Sequence, residues 1–148
     1  MDKFGLSLLP AAAEAGLDTI TVSRHVPVLR RDVGRHDTTL AVAQCTEPNR
    51  FIQGDLVLLL TRCRLVVTRR VRVLDRVRPY LSVGLTEMSD ATWQVRERLA
   101  LIDFTFRADD RAHHLWVRAP YPGQLDRLAG VFHRVFTSTP IPRQRAAG

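Results

Sequence analysis

The sequence predicts a mainly β protein with helices, of the α+β class: an antiparallel barrel or sandwich capped by an amphipathic C-terminal helix. Three observations predict this fold. Between residues 38 and 118, short runs of alternating apolar and polar residues follow one another, separated by turn-forming residues, as in antiparallel strands. Residues 122–136 carry apolar side chains at helical spacing. Residues 1–37 contain helix-forming stretches without strand-like alternation.

The composition is that of one ordinary globular domain. The chain has 148 residues, of which 45% are hydrophobic and 25% are charged. No apolar run approaches the roughly 18 residues that a membrane-spanning helix needs. No basic cluster precedes the short apolar run Leu6–Leu9, as a signal peptide would require. We therefore expect a cytoplasmic protein, either free or peripheral to the membrane.

Residues 1–37 predict an N-terminal helical arm. Leu6–Ala15 is rich in good helix formers. Thr19 and Thr21 are suited to cap a second helix. Pro27 should end or kink that helix, because proline lacks the amide hydrogen that a helix interior uses.

Residues 38–136 predict a β domain that closes with a helix, and its strands form a meander. The run from Leu56 to Leu60 is apolar throughout, as in a strand that is buried on both faces. Pro79 should break the strand pattern, because proline cannot donate to the ladder. Asp109-Asp110 is expected to form a turn. The predicted strand segments are Thr38–Cys45, Leu56–Leu60, Arg64–Arg70, Leu81–Met88, Ala91–Val95, Leu99–Arg107 and His113–Arg118.

An arginine-rich stretch is the main candidate for a binding surface. The chain has a net charge of +7, and most of the excess lies between residues 62 and 78. Leu65, Val67 and Val77 have one parity along this stretch, whereas most of the arginines have the other, so the pattern predicts an apolar face opposite an arginine face. The candidate anion-binding or partner-binding residues are Arg64, Arg70, Arg72, Arg76 and Arg78. The alternative interpretation is a solvated outer sheet face in an arginine-rich protein.

Residues 120–136 predict the C-terminal helix. Pro122 suits its first turn, and the apolar residues recur every three or four positions, as on a helix that lays one stripe against a sheet. This stripe contains Leu125, Leu128, Ala129, Phe132, Val135 and Phe136. Residues 137–148, with two prolines, are expected to form a flexible tail.

Three segments resemble bacterial PH-like domains, which belong to the pleckstrin-homology superfold. Gly54–Thr68 is similar to their strand–turn–strand segment, Met88–Trp93 to a later strand that follows a short acidic turn, and Asp126–Phe136 to their closing helix. The resemblance covers residues 38–136 and implies a barrel that the helix plugs at one end. Some proteins of this superfold bind phosphoinositides through paired basic residues in the first strand–loop–strand. Here that loop, Thr46–Gly54, contains a single basic residue, Arg50.

The sequence contains no evident catalytic, cofactor or metal site. Its glycines form no phosphate-binding loop, and it has no nucleophile-elbow motif. His113 and His114 are adjacent on a predicted strand, so they should point to opposite faces and cannot easily share a metal ion. We therefore predict that the chain is not an enzyme and holds neither a cofactor nor a metal ion.

The two cysteines and the two tryptophans are expected to be structural. Cys45 and Cys63 are too few for a disulfide framework, and a bridge between them would require adjacent strands to bring them together. Free cysteines are usually buried packing residues. Trp93 and Trp116 are interpreted as aromatics of the core or of the barrel mouth.

Three binding functions remain, and they differ in partner. The leading hypothesis is a non-catalytic intracellular module that binds a protein partner or a second copy of itself. The alternative is peripheral association with an anionic membrane surface, or another polyanion, through the arginine-rich strand face. Nucleic-acid binding is disfavoured, because aromatic residues do not interleave the basic run.

Overall fold

Seven antiparallel strands and three helices make up the described part of the chain. The computed structural model describes residues 3–17, 19–48, 55–71 and 76–136. The helices are α1 (Lys3–Glu14), α2 (Thr19–Asp32) and α3 (Pro122–Phe136). The strands are β1 (Thr39–Thr46), β2 (Asp55–Thr61), β3 (Arg64–Val71), β4 (Arg76–Gly84), β5 (Ser89–Arg96), β6 (Leu101–Ala108) and β7 (Arg111–Arg118).

The strands form one sheet that folds into two halves. Their order is β4-β3-β2-β1-β7-β6-β5, with every described pair antiparallel. The link between the halves is short: β1 and β7 share the two pairs Cys45↔Val117 and Thr46↔Trp116. Inward-facing residues of β1–β4 and of β5–β7 belong to one hydrophobic cluster, so the halves pack face to face. The predicted α+β architecture, with an antiparallel sheet that forms a barrel or sandwich, is confirmed.

Helix α3 closes this core with the apolar stripe that its sequence predicts. Phe132 is completely buried and meets Phe104 of β6 edge-on, with ring centroids 5.0 Å apart. On β6, Ile102, Phe104 and Phe106 face inward, as their alternation predicts. The buried residues of α3 in the core are Leu125, Leu128, Val131, Phe132 and Phe136, and Ala129 and Val135 are partly buried against it.

Helices α1 and α2 cover the outer face of β1–β3. A second hydrophobic cluster forms there, because apolar residues of the two helices meet the strand residues that point away from the first core. This second layer confirms that Leu56–Leu60 is buried on both faces. The cluster contains Phe4, Leu8, Leu29, Val33, Val42, Val57, Leu59 and Val66.

Two prolines lie inside elements that they were expected to end. α2 continues past Pro27 to Asp32, and its packing on the sheet compensates for the missing amide. Pro79 lies within β4, which is an edge strand of the described sheet. An edge strand tolerates proline, because its N–H on the open side needs no partner strand.

The ends of α1 and α3 meet each other. Gly16, two residues beyond the end of α1, has a left-handed φ of 76°. Its amide donates to Ala13 and the next amide, of Leu17, donates to Ala12, which is the Schellman arrangement. Tyr121, just before α3, packs on Gly16 so closely that an added Cβ would lie 2.5 Å from its ring.

The predicted Asp109-Asp110 turn is a two-residue hairpin loop between β6 and β7. Both aspartates have left-handed backbone angles, with φ of 54° and 60°. Left-handed angles at both central residues define the type I′ turn, whose twist matches that of the flanking strands. The pair therefore has a backbone role.

The open question of a disulfide is settled by the β1–β2 register. Cys45 pairs with Leu56, whereas Cys63 follows Thr61, which pairs with Thr39. The two cysteines therefore lie at opposite ends of this hairpin, and both are free thiols. A bridge would need Cα atoms within about 7 Å of each other.

Two expectations concern the N-terminal arm and the C-terminal tail. The division of the chain at residue 37 stays a prediction, and the tail at residues 137–148 lies outside the described residues. None of the described helices has the length and apolar character needed to cross a membrane.

Candidate binding site

A groove of about 580 Å³ lies between the edge strand β5 and helix α3. Trp93, Val95 and Glu97 line it from the strand side. From the helix side it is lined by Asp126, Ala129, Gly130 and His133, which are spaced by three, four and seven residues and so share one side of α3. Its volume falls in the range of roughly 300–1,000 Å³ that is typical of ligand sites.

The floor of the groove is apolar and rigid. Trp93 is 6% exposed and packs against Phe132 of α3, with ring centroids 6.1 Å apart. The ring is therefore held by the core and offers the groove only its rim. The side chains on the helix side of the groove are short in the middle, at Ala129 and Gly130. A Cβ atom at Gly130 would meet nothing within 4 Å, so the space beside this residue is open.

The strand side of the groove offers backbone hydrogen bonds. Among the described strands, β5 pairs with β6 alone. Alternate residues of an edge strand direct their N–H and C=O groups outward, where a further strand can bind them. The other edge strand, β4, is less suited to this, because Pro79 removes a donor.

The charge of the groove is mainly acidic. Glu97 at the end of β5 and Asp126 in the second turn of α3 are both exposed. Neither carboxylate forms an ion pair with any residue in the described ranges. His133 is exposed one helical turn beyond Ala129. The groove can thus bind an extended segment that carries a positive charge beside a small apolar side chain.

The five candidate arginines do not share one face. Paired residues of neighbouring strands lie on the same side of a sheet, and Arg70 pairs with Val77, whereas Arg76 pairs with Val71. Arg64 and Arg70 therefore lie on the side that α1 and α2 cover, and Arg76 and Arg78 lie on the other side. Arg72 lies outside the described residues.

The register between β3 and β4 explains why the expected arginine face is not formed. Val71 pairs with Arg76 and Arg70 pairs with Val77, so the even-numbered residues of β3 share a side with the odd-numbered residues of β4 up to Pro79. The β-bulge between the pairs Thr68↔Pro79 and Val67↔Leu81 lies beyond the arginines. On the arm side, Val66 and Thr68, which have the same parity as Arg64, are completely buried, and Arg64 donates to Ser82 Oγ at 3.0 Å.

A smaller arginine group does form on the side of β3 and β4 that faces the first core. Arg69 lies directly opposite Arg78, and Arg76 is two residues from Arg78 on the same side. Arg76 and Arg78 are exposed. The Nε atom of Arg69 is buried and has no hydrogen-bond partner. Like charges directly opposite each other on a sheet are unfavourable, so an anion here would stabilise the pair.

The histidine pair is divided between the two faces of β7, as predicted. His113 stacks on Phe106, with ring centroids 5.0 Å apart, whereas His114 Nε2 is hydrogen-bonded to Asp103. Asp103 also accepts a hydrogen bond from Arg96 at 3.0 Å. Within the described ranges, no three His, Cys, Asp or Glu side chains cluster so as to hold a metal ion.

Cys45 is a packing residue of the first core. It is completely enclosed, and this burial, together with the nearby charge of Glu47, raises the pKa of its thiol far above the ordinary range. A protonated, enclosed thiol is neither a nucleophile nor a metal ligand. Cys63 is exposed in the β2–β3 turn.

Sequence reasoning missed the groove, although one signal for it is present. Asp126, Ala129, Gly130 and His133 form a stripe of polar and small residues next to the apolar stripe of α3. Small residues on a helix leave space beside it, but the pattern alone does not reveal which element lies across that space. The interpretation of Trp93 as a core aromatic is confirmed. The edge of its ring also lines the groove, which the sequence did not predict.

Comparisons with known proteins give similarities of fold alone. No protein-family model matches the sequence, and no curated protein matches it. Among solved structures, the DH/PH domains of p115-RhoGEF (R399E mutant) are 14% identical with a TM-score of 0.49, over 73% of this chain and 33% of that one. Autoinhibited Vav1 is 12% identical with a TM-score of 0.46, over 92% of this chain and 26% of that one. The chain thus spans at most about a third of these two proteins' structures.

Proposed function

We propose that this chain is a non-catalytic intracellular binding module that binds an extended segment of a partner protein along β5. The single observation that carries the proposal is the groove between the edge strand β5 and α3. The segment would add a strand to β5, so that main-chain hydrogen bonds supply affinity and side-chain contacts supply specificity.

The lining of the groove specifies the chemistry of this segment. A small or flat apolar side chain fits the open space beside Gly130, against the rim of Trp93. A lysine or arginine side chain would meet Glu97 or Asp126, which have no described ion-pair partner of their own. The expected ligand is therefore a basic, extended peptide segment, and its binding should weaken with salt because the charges are exposed.

Selection of peptides from a random displayed library tests the proposal on the full chain. We expect the enriched peptides to carry Lys or Arg next to a small apolar residue and to lack proline at the positions that pair with β5. Amide chemical-shift changes on titration of a selected peptide should concentrate on β5 and α3. Enriched peptides that perturb neither element would contradict the proposal.

Two substitutions of the same glycine give a matched comparison. Gly130→Leu places a large side chain in the open space and should weaken a selected peptide at least about tenfold, or ~1.4 kcal/mol. Gly130→Ala leaves most of the space free and should bind nearly as well as the wild type. Equal affinity of all three proteins would exclude the groove as the site, since the leucine would occupy the open space that begins at the Cβ position.

A second candidate function is association with an anionic membrane surface. The observation that favours it is the group formed by Arg69 with the exposed Arg76 and Arg78, on the side of β3 and β4 that faces the first core. Sedimentation with vesicles that contain phosphatidylserine should exceed sedimentation with neutral phosphatidylcholine vesicles. Arg76→Gln with Arg78→Gln should abolish the excess, whereas Arg98→Gln with Arg118→Gln, the same charge loss at other exposed sites, should preserve it. Equal losses in both variants would indicate attraction by net charge alone.

A further inference from the structure

We propose that α1 pairs with α1 of a second copy of this chain, antiparallel about a two-fold axis, through a bare apolar stripe on its outer side. This self-association uses a surface remote from the β5–α3 groove and does not depend on the proposed peptide binding. The stripe consists of Leu6, Leu9, Pro10 and Ala13.

Helix α1 is apolar on two opposite sides. Its inner side, with Phe4, Leu8 and Ala12, is buried on the sheet. The stripe residues are spaced by three, four and seven positions, so they share the side that points away from the sheet. Leu6 is 65% exposed and Leu9 is 63% exposed, and they are two of the four large apolar side chains that the described ranges leave more than half exposed. The second apolar side has no role in the fold of a single copy.

The apolar surface continues beyond the end of the helix. Gly16 lies in the cap that follows the C-terminus of α1. Tyr121, which is 55% exposed, covers Gly16 with its ring. Of the four exposed large apolar residues, two thus lie on α1 and a third, Tyr121, covers its C-terminal cap; the fourth, Leu99, lies in the turn before β6.

The charges of α1 favour a second copy in antiparallel orientation. Lys3 lies at the start of the helix and Glu14 at its end, and a helical turn of 3.6 residues places both on the same flank of the stripe. A two-fold axis across the helix brings Lys3 of each copy beside Glu14 of the other. A parallel pair about a two-fold axis would instead place the two lysines at the same end on opposite flanks of the seam, with no glutamate beside either. Glu14 already forms an ion pair with Arg127, with 3.1 Å between its Oε1 and Nη1 of the arginine, and its side chain stays 43% exposed, so a lysine can reach it.

The size of the stripe predicts a weak dimer. Interfaces that bury less than about 1,200 Å² in total belong mainly to transient complexes, and a pair of three-turn helices with a tyrosine at each end is of that class. Each copy has a net charge of +7, so the copies repel each other at long range. Salt screens this repulsion and also the two Lys3–Glu14 pairs, and it leaves the apolar contact intact. Because the repulsion between two copies of charge +7 is the larger of the two effects, the dimer should become stronger as salt increases.

Sedimentation equilibrium of the full chain tests this proposal, over about a hundredfold range of concentration that spans the micromolar affinities of weak complexes. We expect a monomer–dimer equilibrium that shifts toward the dimer when sodium chloride is raised. Leu6→Gln with Leu9→Gln should weaken the dimer at least tenfold, whereas Leu99→Gln, at a similarly exposed leucine, should leave it unchanged. Thermal unfolding at low concentration should be nearly the same for all these proteins, since both leucines are exposed.

Charge reversal tests the orientation. Lys3→Glu should weaken the dimer, and Lys3→Glu combined with Glu14→Lys should restore it relative to Lys3→Glu alone. A chain that stays monomeric at all concentrations would overturn the proposal. So would a dimer that the Leu6 and Leu9 substitutions leave intact, or one that salt dissociates. A dimer that loses affinity with Leu6→Gln and Leu9→Gln but ignores the charge reversals would overturn the antiparallel arrangement.

Discussion

His25 Nδ1 and Thr68 Oγ1, which are 43 residues apart in sequence, lie 2.6 Å apart in a completely buried hydrogen bond that joins α2 to β3. The imidazole is 1% exposed and the hydroxyl is fully enclosed. This polar contact lies beside the hydrophobic cluster that α1 and α2 form on the sheet. The hydrogen bond sets the position of α2 along β3. Apolar contacts alone would determine this position less precisely.

Thr68→Val should destabilise the fold by about 1–3 kcal/mol, because a valine of the same shape leaves the histidine nitrogen without this partner in a buried site. Urea denaturation followed by circular dichroism measures the change. Thr86→Val, at an exposed threonine, is the control and should change the free energy of unfolding by less than about 0.5 kcal/mol. Equal effects of the two substitutions would mean that the buried hydrogen bond adds nothing to stability.

Leu8 and Leu9 are neighbours in sequence with opposite environments. Leu8 is 3% exposed in the cluster beneath α1, whereas Leu9 faces solvent. Leu8→Ala should therefore cost about 2–5 kcal/mol of unfolding free energy, and Leu9→Ala less than about 0.5 kcal/mol when measured at low protein concentration. Similar losses at the two positions would contradict the orientation of α1 on the sheet.

Gly130→Ala should raise the free energy of unfolding by about 0.5–1 kcal/mol, because alanine restricts the unfolded chain and favours helix, and its methyl group meets open space. Gly16→Ala should do the reverse. Its left-handed φ and the ring of Tyr121 both oppose a Cβ atom. Thermal unfolding of the two variants checks the signs, and a destabilised Gly130→Ala protein would show that the space beside α3 is filled.

The thiol of Cys45 should make the protein less stable at alkaline pH. Burial raises its pKa in the folded chain above the ordinary value of 9.0, so the folded state keeps a proton that the unfolded state loses. The contribution of the protonated thiol to the free energy of unfolding is fully present below about pH 9. It declines at higher pH, by up to about 1.4 kcal/mol per pH unit. The slope of stability against pH above 9 should be smaller for Cys45→Ala than for the wild type. Identical slopes would contradict the shift.

Alkylation distinguishes the two cysteines at neutral pH. Iodoacetamide should modify Cys63, which is exposed, and spare Cys45 until the chain is unfolded. Mass spectrometry of peptides from native and denatured protein gives the occupancy of each site. Rapid modification of Cys45 in the native protein would show that the core around it opens readily.

The sequence was informative wherever a local pattern decides the structure. The alternation of Ile102, Phe104 and Phe106 predicted an inward face of β6, and the spacing of the apolar residues in 125–136 predicted the buried side of α3. Both predictions depend only on the side-chain periodicity of a single element, β6 or α3, and on that element having one apolar face. The turn at Asp109-Asp110 was predicted for the same reason, since backbone preferences of the residues themselves determine it.

The errors arose where one element meets another. The expected arginine face assumed that the parity from Arg64 to Arg78 runs without interruption, whereas the pairing of Val71 with Arg76 shows that it changes between β3 and β4. The groove beside Gly130 was missed because it needs β5 and α3 to be adjacent, which no short stretch of sequence encodes. Continuity of parity and adjacency of elements are long-range properties, so a single sequence leaves them open.

The short ladder between β1 and β7 has a consequence for the order of folding. The β6–β7 hairpin closes through two residues, whereas the pairs Cys45↔Val117 and Thr46↔Trp116 join residues about 70 positions apart. Closing so large a loop costs chain entropy that two residue pairs repay poorly. We expect the hairpins on each side to form first, so that this junction is the last ladder to assemble and the first to open.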